Sequence, residues 1–237
     1  MFYFDPVHII ILVIGMGMMF LANMWLKNTF AKYNEQATRT GQTGAQIARN
    51  ILDRAGLNDV KLEETPGELS DHYDPGAKTV RLSPNNYHRS SVAAAAVAAH
   101  ECGHALQHAK GYFPVVIRGA MFPAVKVASQ FGPILLMIGI FLGATSELAP
   151  AYAWNIALAG VVCYGAAVAF HFVTLPVEFD ASARALKVLE GQHYLFDSEM
   201  PGARKVLTAA AMTYVVSALY ALMELVYWVM RLMGSRR

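Results

Sequence analysis

Four long stretches of this chain carry almost no charge, and they restrict its fold more than any other feature. Residues 9–26 hold no charged side chain and end at Lys27. Residues 127–145 are likewise uncharged, behind a segment that carries Arg118 and Lys126. Residues 149–176 are uncharged throughout, with Tyr152 and Trp154 near one end, where aromatic rings suit a membrane interface. The fourth stretch, 206–230, is interrupted only by Glu224 and stops at Arg231. A bilayer core takes about 20 apolar residues as helix. Backbone groups inside it must bond within their own segment, so four membrane-crossing helices are expected. Only 15% of the 237 residues are charged, against about 25% in ordinary globular chains. The net charge of +2, from 19 basic and 17 acidic residues with no long basic run, excludes disordered and nucleic-acid-binding classes. Two cysteines, Cys102 and Cys163, make no disulfide framework.

Charge also orients the spans. The leader before the first span contains Asp5 and no lysine or arginine, the wrong flank for a cleaved signal, so an uncleaved anchor is expected. The turn at 146–150 has no basic residue either. Lys27, Lys32, Lys110, Arg184, Lys187, Arg204 and Lys205 fall on the opposite side, which the positive-inside rule makes cytoplasmic. Arg231, Arg236 and Arg237 oppose the rule if the fourth stretch crosses fully.

The long polar region is 27–111. Thr43 is a natural N-cap for a helix through Ile47, Ile51 and Leu52, with Gly56 as its stop. Val60 and Leu62 lie in one strand-like run, and Thr79 to Ser83 alternate as a half-buried strand does. Asp74-Pro75-Gly76 reads as a turn in which glycine takes the positive φ. Ser90 or Ser91 then caps an alanine-rich helix over 92–108. The expected organisation is an anchor over 1–26, a cytosol-facing α+β segment over 27–111, and membrane helices over 112–237 that include a ligand-bearing helix near 177–190.

That alanine-rich helix contains His100-Glu101-Cys102-Gly103-His104, which fits H-E-x-x-H. Residues four apart share a helix face about 6 Å apart along the axis, so both imidazoles can close on one zinc ion. Glu101 is offset by one residue. Its carboxylate can reach the attacking water without ligating the metal and can act as general base. Gly103 costs roughly 1 kcal/mol in helix propensity and would let another segment come close.

The third ligand must come from elsewhere. His108 lies about 12 Å along the axis from His100, too far to share its ion, and suits a supporting or interfacial role. The metzincin pattern is excluded, because Gln107 and Lys110 stand where it needs glycine and histidine. The run Pro176-Val177-Glu178-Phe179-Asp180-Ala181-Ser182-Ala183 is the best source, with proline opening a helix whose Glu178 and Ser182 share a face. Glu178 is the favoured ligand, with Asp180 and His171 as alternatives. Asp180 would more naturally serve the helix dipole.

With HECGH beside a membrane span and EFDASARA following it, the chain resembles the gluzincin membrane metallopeptidases, including the HtpX-type and CAAX-protease-type members. The short chain with an N-terminal anchor and the HECGHALQH and PVEFDASARAL strings more closely resembles the YugP-like bacterial membrane zinc metallopeptidases. The resemblance implies that His100, His104 and Glu178 bind one zinc and that Glu101 is catalytic. Ser182 stands where the broader family has aspartate, and Asp180 is then expected to help orient a histidine.

Tyr214 and His193 are candidate oxyanion donors. Glu224 is either a functional group in the membrane or a partner of Arg231. The strand ending at Leu82 and Ser83 would hold an extended peptide if its edge is free. The expected fold is thus a mainly α membrane bundle of about four spans with a small α+β, gluzincin-like metallopeptidase unit. The expected activity is zinc-dependent hydrolysis of peptide bonds in proteins at or near the lipid bilayer, with no nucleic-acid partner, at the bacterial cytoplasmic membrane. A zinc-binding scaffold and a small transporter using Glu224 and His171 are the rivals. An intact Glu101 between the histidines favours hydrolysis over both.

Overall fold

The computed structural model describes residues 5–145 and 150–234. The expected turn at 146–150 falls almost wholly outside them, as do Arg236 and Arg237. Among the described residues the elements run α1 (Pro6–Asn34), α2 (Gly44–Arg54), β1 (Lys61–Glu64), β2 (His72–Asp74), β3 (Thr79–Leu82), α3 (Pro84–His88), α4 (Val92–Ala109), α5 (Phe113–Thr145), α6 (Pro150–Gly191) and α7 (Met200–Gly234). The protein is mainly helical, and α1, α5, α6 and α7 are each long and apolar enough to cross a membrane. Arg118 and Lys126 do not interrupt α5.

The chain divides into two compact units. One comprises Met1–Phe20, Ile117–Thr174 and Tyr214–Arg237; the other comprises Leu21–Val116 and Leu175–Thr213. The division in α6 falls between Thr174 and Leu175, just before Pro176. That proline does not open a new helix as the sequence suggested. It lies inside the 42-residue α6, where it removes a single backbone donor.

The first unit is apolar, with Ile10, Val13, Phe20, Phe131, Phe141 and Val162 among many exposed large side chains. Its helices approach closely through small residues. A Cβ on Gly139 would lie 2.4 Å from the Ala157 nitrogen, and one on Gly160 would lie 2.6 Å from that of Leu136. Small residues at such crossings let backbones pack in a medium that offers no hydrophobic drive. Glu224 is buried here and does not meet Arg231. Its Oε2 lies 3.2 Å from His8 Nε2 and accepts from Trp228 Nε1 at 3.1 Å, while Arg231 reaches Asp5.

The second unit is built around α4. Thr43 caps α2 in a reciprocal box with Gln46, and Gly56 ends that segment at φ +74°. Ser91 caps α4 by accepting from the Ala94 N–H. Ala93–Ala96, Ala98 and Ala99 are all buried. Alanine's small side chain lets neighbours close around the helix on every side, and Ile47, Ile51, Leu52, Val80 and Leu82 belong to the same core.

The sheet order is β1-β3-β2, with β1 parallel and β2 antiparallel to β3. The strand before the active helix is therefore central, and its backbone is not a free edge. In the turn that follows β2, the left-handed residue is Lys78 (φ 47°), not Gly76. Asp74 Oδ1 accepts from the Gly76 and Ala77 N–H groups, which fixes the turn without a positive φ at glycine. Those bonds, with that from Arg81, hold the Asp74 carboxyl below its ordinary pKa.

Candidate metal centre

His100 and His104 rise from α4 one turn apart, their rings edge to face with centroids 4.7 Å apart. Glu178 reaches them from α6. The two helices meet where Gly103 presents no side chain: a Cβ there would sit 2.7 Å from the Ala181 carbonyl oxygen. That contact places Glu178 Oε2 at 3.3 Å from His100 Nε2 and 3.5 Å from His104 Nε2. One ligand atom from each residue lies within 4.8 Å of the other two, and this is the group of metal-type side chains that converges so among the described residues.

The donor set fits zinc. Ligand atoms about 2.0–2.1 Å from a tetrahedral ion stand about 3.4 Å from one another, close to the carboxylate–imidazole separations here. Charge agrees with spacing. Burial alone would lower the His104 pKa, yet the Glu178 and Glu101 carboxylates outweigh it and hold the ring above its ordinary value. A cluster that favours a proton in this way favours a cation.

Glu101 is buried beside the histidines and is not one of the three converging groups. Burial raises its pKa above the ordinary carboxylate range, against the opposing pull of both imidazoles. Cys102, on the opposite side of the same turn, is fully buried and its thiol accepts no role at the centre. Its Sγ faces the Ala48 carbonyl at 3.5 Å, and burial pushes its pKa far up.

Each imidazole is held at its other nitrogen. Ser182 Oγ lies 3.2 Å from His100 Nδ1, and Gln107 Oε1 lies 3.0 Å from His104 Nδ1. Asp180 touches neither histidine in this network; its Oδ2 accepts from Gln107 Nε2 at 2.8 Å and from Arg184. Arg184 in turn stacks over Tyr112. Ser182 thus occupies the orienting place that an aspartate was expected to fill.

The other residues singled out from sequence have these surroundings. His108 is exposed, with Nδ1 at 3.0 Å from the Tyr73 hydroxyl. His193 is an exposed turn residue at φ 55° after α6. His171 is not among the three converging groups, and His171 and Tyr214 both belong to the first unit. Gln107 is the residue that sequence reasoning passed over. Its one visible signal was position: it follows His104 by three residues, on the same helix face.

A family model described as "Putative neutral zinc metallopeptidase" matches residues 8–233. The chain is also 41% identical over 228 residues to a protein of Bacillus subtilis (strain 168) named "Putative membrane protease YugP". That match covers 96% of this chain and 97% of the relative. No solved structure matches the chain.

Proposed function

We propose that this chain, which belongs to the family described as "Putative neutral zinc metallopeptidase", is a membrane-bound endopeptidase with one zinc held by His100, His104 and Glu178. The observation that carries this reading is the convergence of those three side chains from two helices, with a buried Glu101 next to them. When bound, zinc supplies Lewis-acid polarisation of a scissile carbonyl and a water nucleophile available at neutral pH.

The remaining chemistry belongs to the chain. The Glu101 carboxylate takes a proton from the attacking water and returns it to the departing amine. Its raised pKa brings base and acid roles closer to neutral pH. Ser182 and Gln107 hold the two imidazoles by Nδ1, which leaves each Nε2 directed at Glu178. The orienting network spares the ligands a search among ring positions.

Four helices suited to a bilayer make a protein or peptide near the membrane the substrate we favour. Lys27, Lys32, Lys110, Arg184, Lys187, Arg204 and Lys205 all belong to the unit that carries the cluster, which under the positive-inside rule supports a site on the cytoplasmic side.

The test measures metal content and cleavage of a quenched casein substrate by wild type, Glu178→Ala and Glu101→Gln, each purified in detergent and returned to liposomes. The expected result is one zinc per wild-type chain, little in Glu178→Ala, and full zinc with cleavage reduced at least ~10²-fold in Glu101→Gln. Zinc retained without cleavage by wild type, and with no effect of Glu101→Gln in cells, would favour a zinc scaffold. Full zinc in Glu178→Ala would remove Glu178 from the ligand set.

A further inference from the structure

Gln107 is fully buried, and all its polar atoms are committed. Its Nε2 lies 2.8 Å from the Val177 carbonyl oxygen and 2.8 Å from Asp180 Oδ2. A carbonyl accepts only, and so does a carboxylate. An amide has one end that donates two hydrogen bonds and one that donates none, so the nitrogen must face this pair of acceptors. Turning the amide over would press its oxygen against two other oxygens in a buried place. Its Oε1 is thereby fixed toward His104, 3.0 Å from Nδ1. An oxygen that cannot donate requires a proton on that ring nitrogen. His104 Nε2 is thereby the nitrogen left for a metal, on the side of Glu178; without a metal the Glu178 carboxylate 3.5 Å away draws a proton there as well.

We infer that Gln107 is a positioning residue that holds a proton on His104 Nδ1 and so presents Nε2 to a metal, with Asp180 and the Val177 carbonyl acting on the ring only through this amide. The metal consequence rests on the reading of His104 as a zinc ligand; the Nδ1 proton does not. Asp180 is itself anchored, since Arg184 bonds the same oxygen and stacks over the Tyr112 ring. The chain of contact therefore runs from Tyr112 and Arg184 through Asp180 and Gln107 to His104. It ties the orientation of an α4 ligand to the segment of α6 that carries Glu178. His100 has an independent support in the Ser182 hydroxyl, which can donate or accept and so leaves that ring's tautomer open.

Two variants separate positioning from packing. Gln107→Met keeps the side-chain length and removes every hydrogen bond. Gln107→Glu keeps an acceptor for Nδ1–H and loses both donors. ¹⁵N-histidine spectra of the full chain in detergent are recorded first without metal, and zinc affinity is then titrated against a competing chelator. The inference expects His104 to carry a proton on Nδ1 in metal-free wild type and in Gln107→Glu, and to lose it in Gln107→Met, leaving Nε2–H beside Glu178. It also expects zinc affinity to fall 10–100-fold in Gln107→Met and by less in Gln107→Glu. A purely structural glutamine would give the opposite order, because the glutamate places a second carboxylate beside Asp180. The His100 resonances report whether the site is still folded. An unchanged His104 Nδ1 proton and unchanged zinc affinity in Gln107→Met, with His100 also unchanged, would overturn the inference. If wild type shows the Nδ1 proton yet takes up no zinc, the metallopeptidase reading fails and the positioning of His104 stands.

Discussion

Gly103 lies so close to Ala181 that a methyl group on it would stand 2.7 Å from the Ala181 carbonyl oxygen and 3.2 Å from its Cα. The obstacle is backbone, which cannot rotate away. Filling a packed place of this kind costs about 1–3 kcal/mol, and alanine's better helix propensity returns about 1 kcal/mol at most. Gly103→Ala is therefore expected to melt earlier in detergent and to bind zinc more weakly, because α4 and α6 must separate where they bring Glu178 to the histidines. Gly103→Ala/Ala181→Gly should show no recovery, since trimming the Ala181 side chain leaves the carbonyl in place. Thermal melts with and without zinc check both.

Much of the centre could be read from local sequence because its logic is local. The His100–His104 spacing is a property of any helix, and Thr43 and Ser91 announce helix starts through their own hydroxyls. Four helices long and apolar enough to cross a membrane follow from runs of uncharged residues. What escaped was decided by distant partners. Gln107 looks like a spacer until Val177 and Asp180 arrive 70 and 73 residues later to claim its amide. Glu224 has Arg231 nearby in sequence but meets His8, 216 residues away. Pro176 usually marks a helix start, yet neighbouring turns carry α6 through it. The centrality of β3 depends on the three-residue β2, too short to show a period of two.

Cys102 sits next to the proposed base but should be chemically silent. It is fully buried in the core between α4 and α2, and burial drives its thiol well above the usual range. The thiolate is the reactive form. Native protein treated with iodoacetamide at pH 8 should leave Cys102 unmodified by peptide mass spectrometry, and modification should become complete after denaturation. Rapid labelling in the native state would mean that the α4–α2 contact opens readily.

The His8–Glu224 contact should behave as a coupled pair. Glu224 Oε2 is shared by His8 and Trp228, and His8 stacks on Tyr227 at 4.6 Å with rings nearly parallel. Removing His8 leaves the buried Glu224 carboxylate with only its Trp228 bond, whereas replacing both with apolar groups removes the demand. His8→Leu and Glu224→Leu are each expected to lower the unfolding midpoint in detergent. The double variant should fall by less than their sum, with a coupling of about 0.5–3 kcal/mol. Strict additivity would mean the two side chains do not interact in the folded protein.

Glu101 should cost the metal-free protein stability at neutral pH. Burial holds its folded-state pKa above the ordinary value of 4.5, so the folded chain keeps this proton to higher pH than the unfolded chain does. Below the ordinary value both states are protonated and the group is neutral in either. As pH rises from there, the unfolded chain gives up its proton first, and stability drains away until the folded-state pKa is passed. Glu101→Gln cannot ionise and escapes this loss. Metal-free Glu101→Gln is therefore expected to melt close to wild type near pH 4 and above it at pH 7, the gap opening only upward from the ordinary carboxylate range. Melts of both proteins in chelator from pH 4 to 8 measure this directly. A gap that is constant across that range would show that the substitution acts through packing and not through the buried charge. A wild type more stable at pH 7 than the variant would show that the carboxylate is stabilised by its imidazole neighbours more than burial penalises it.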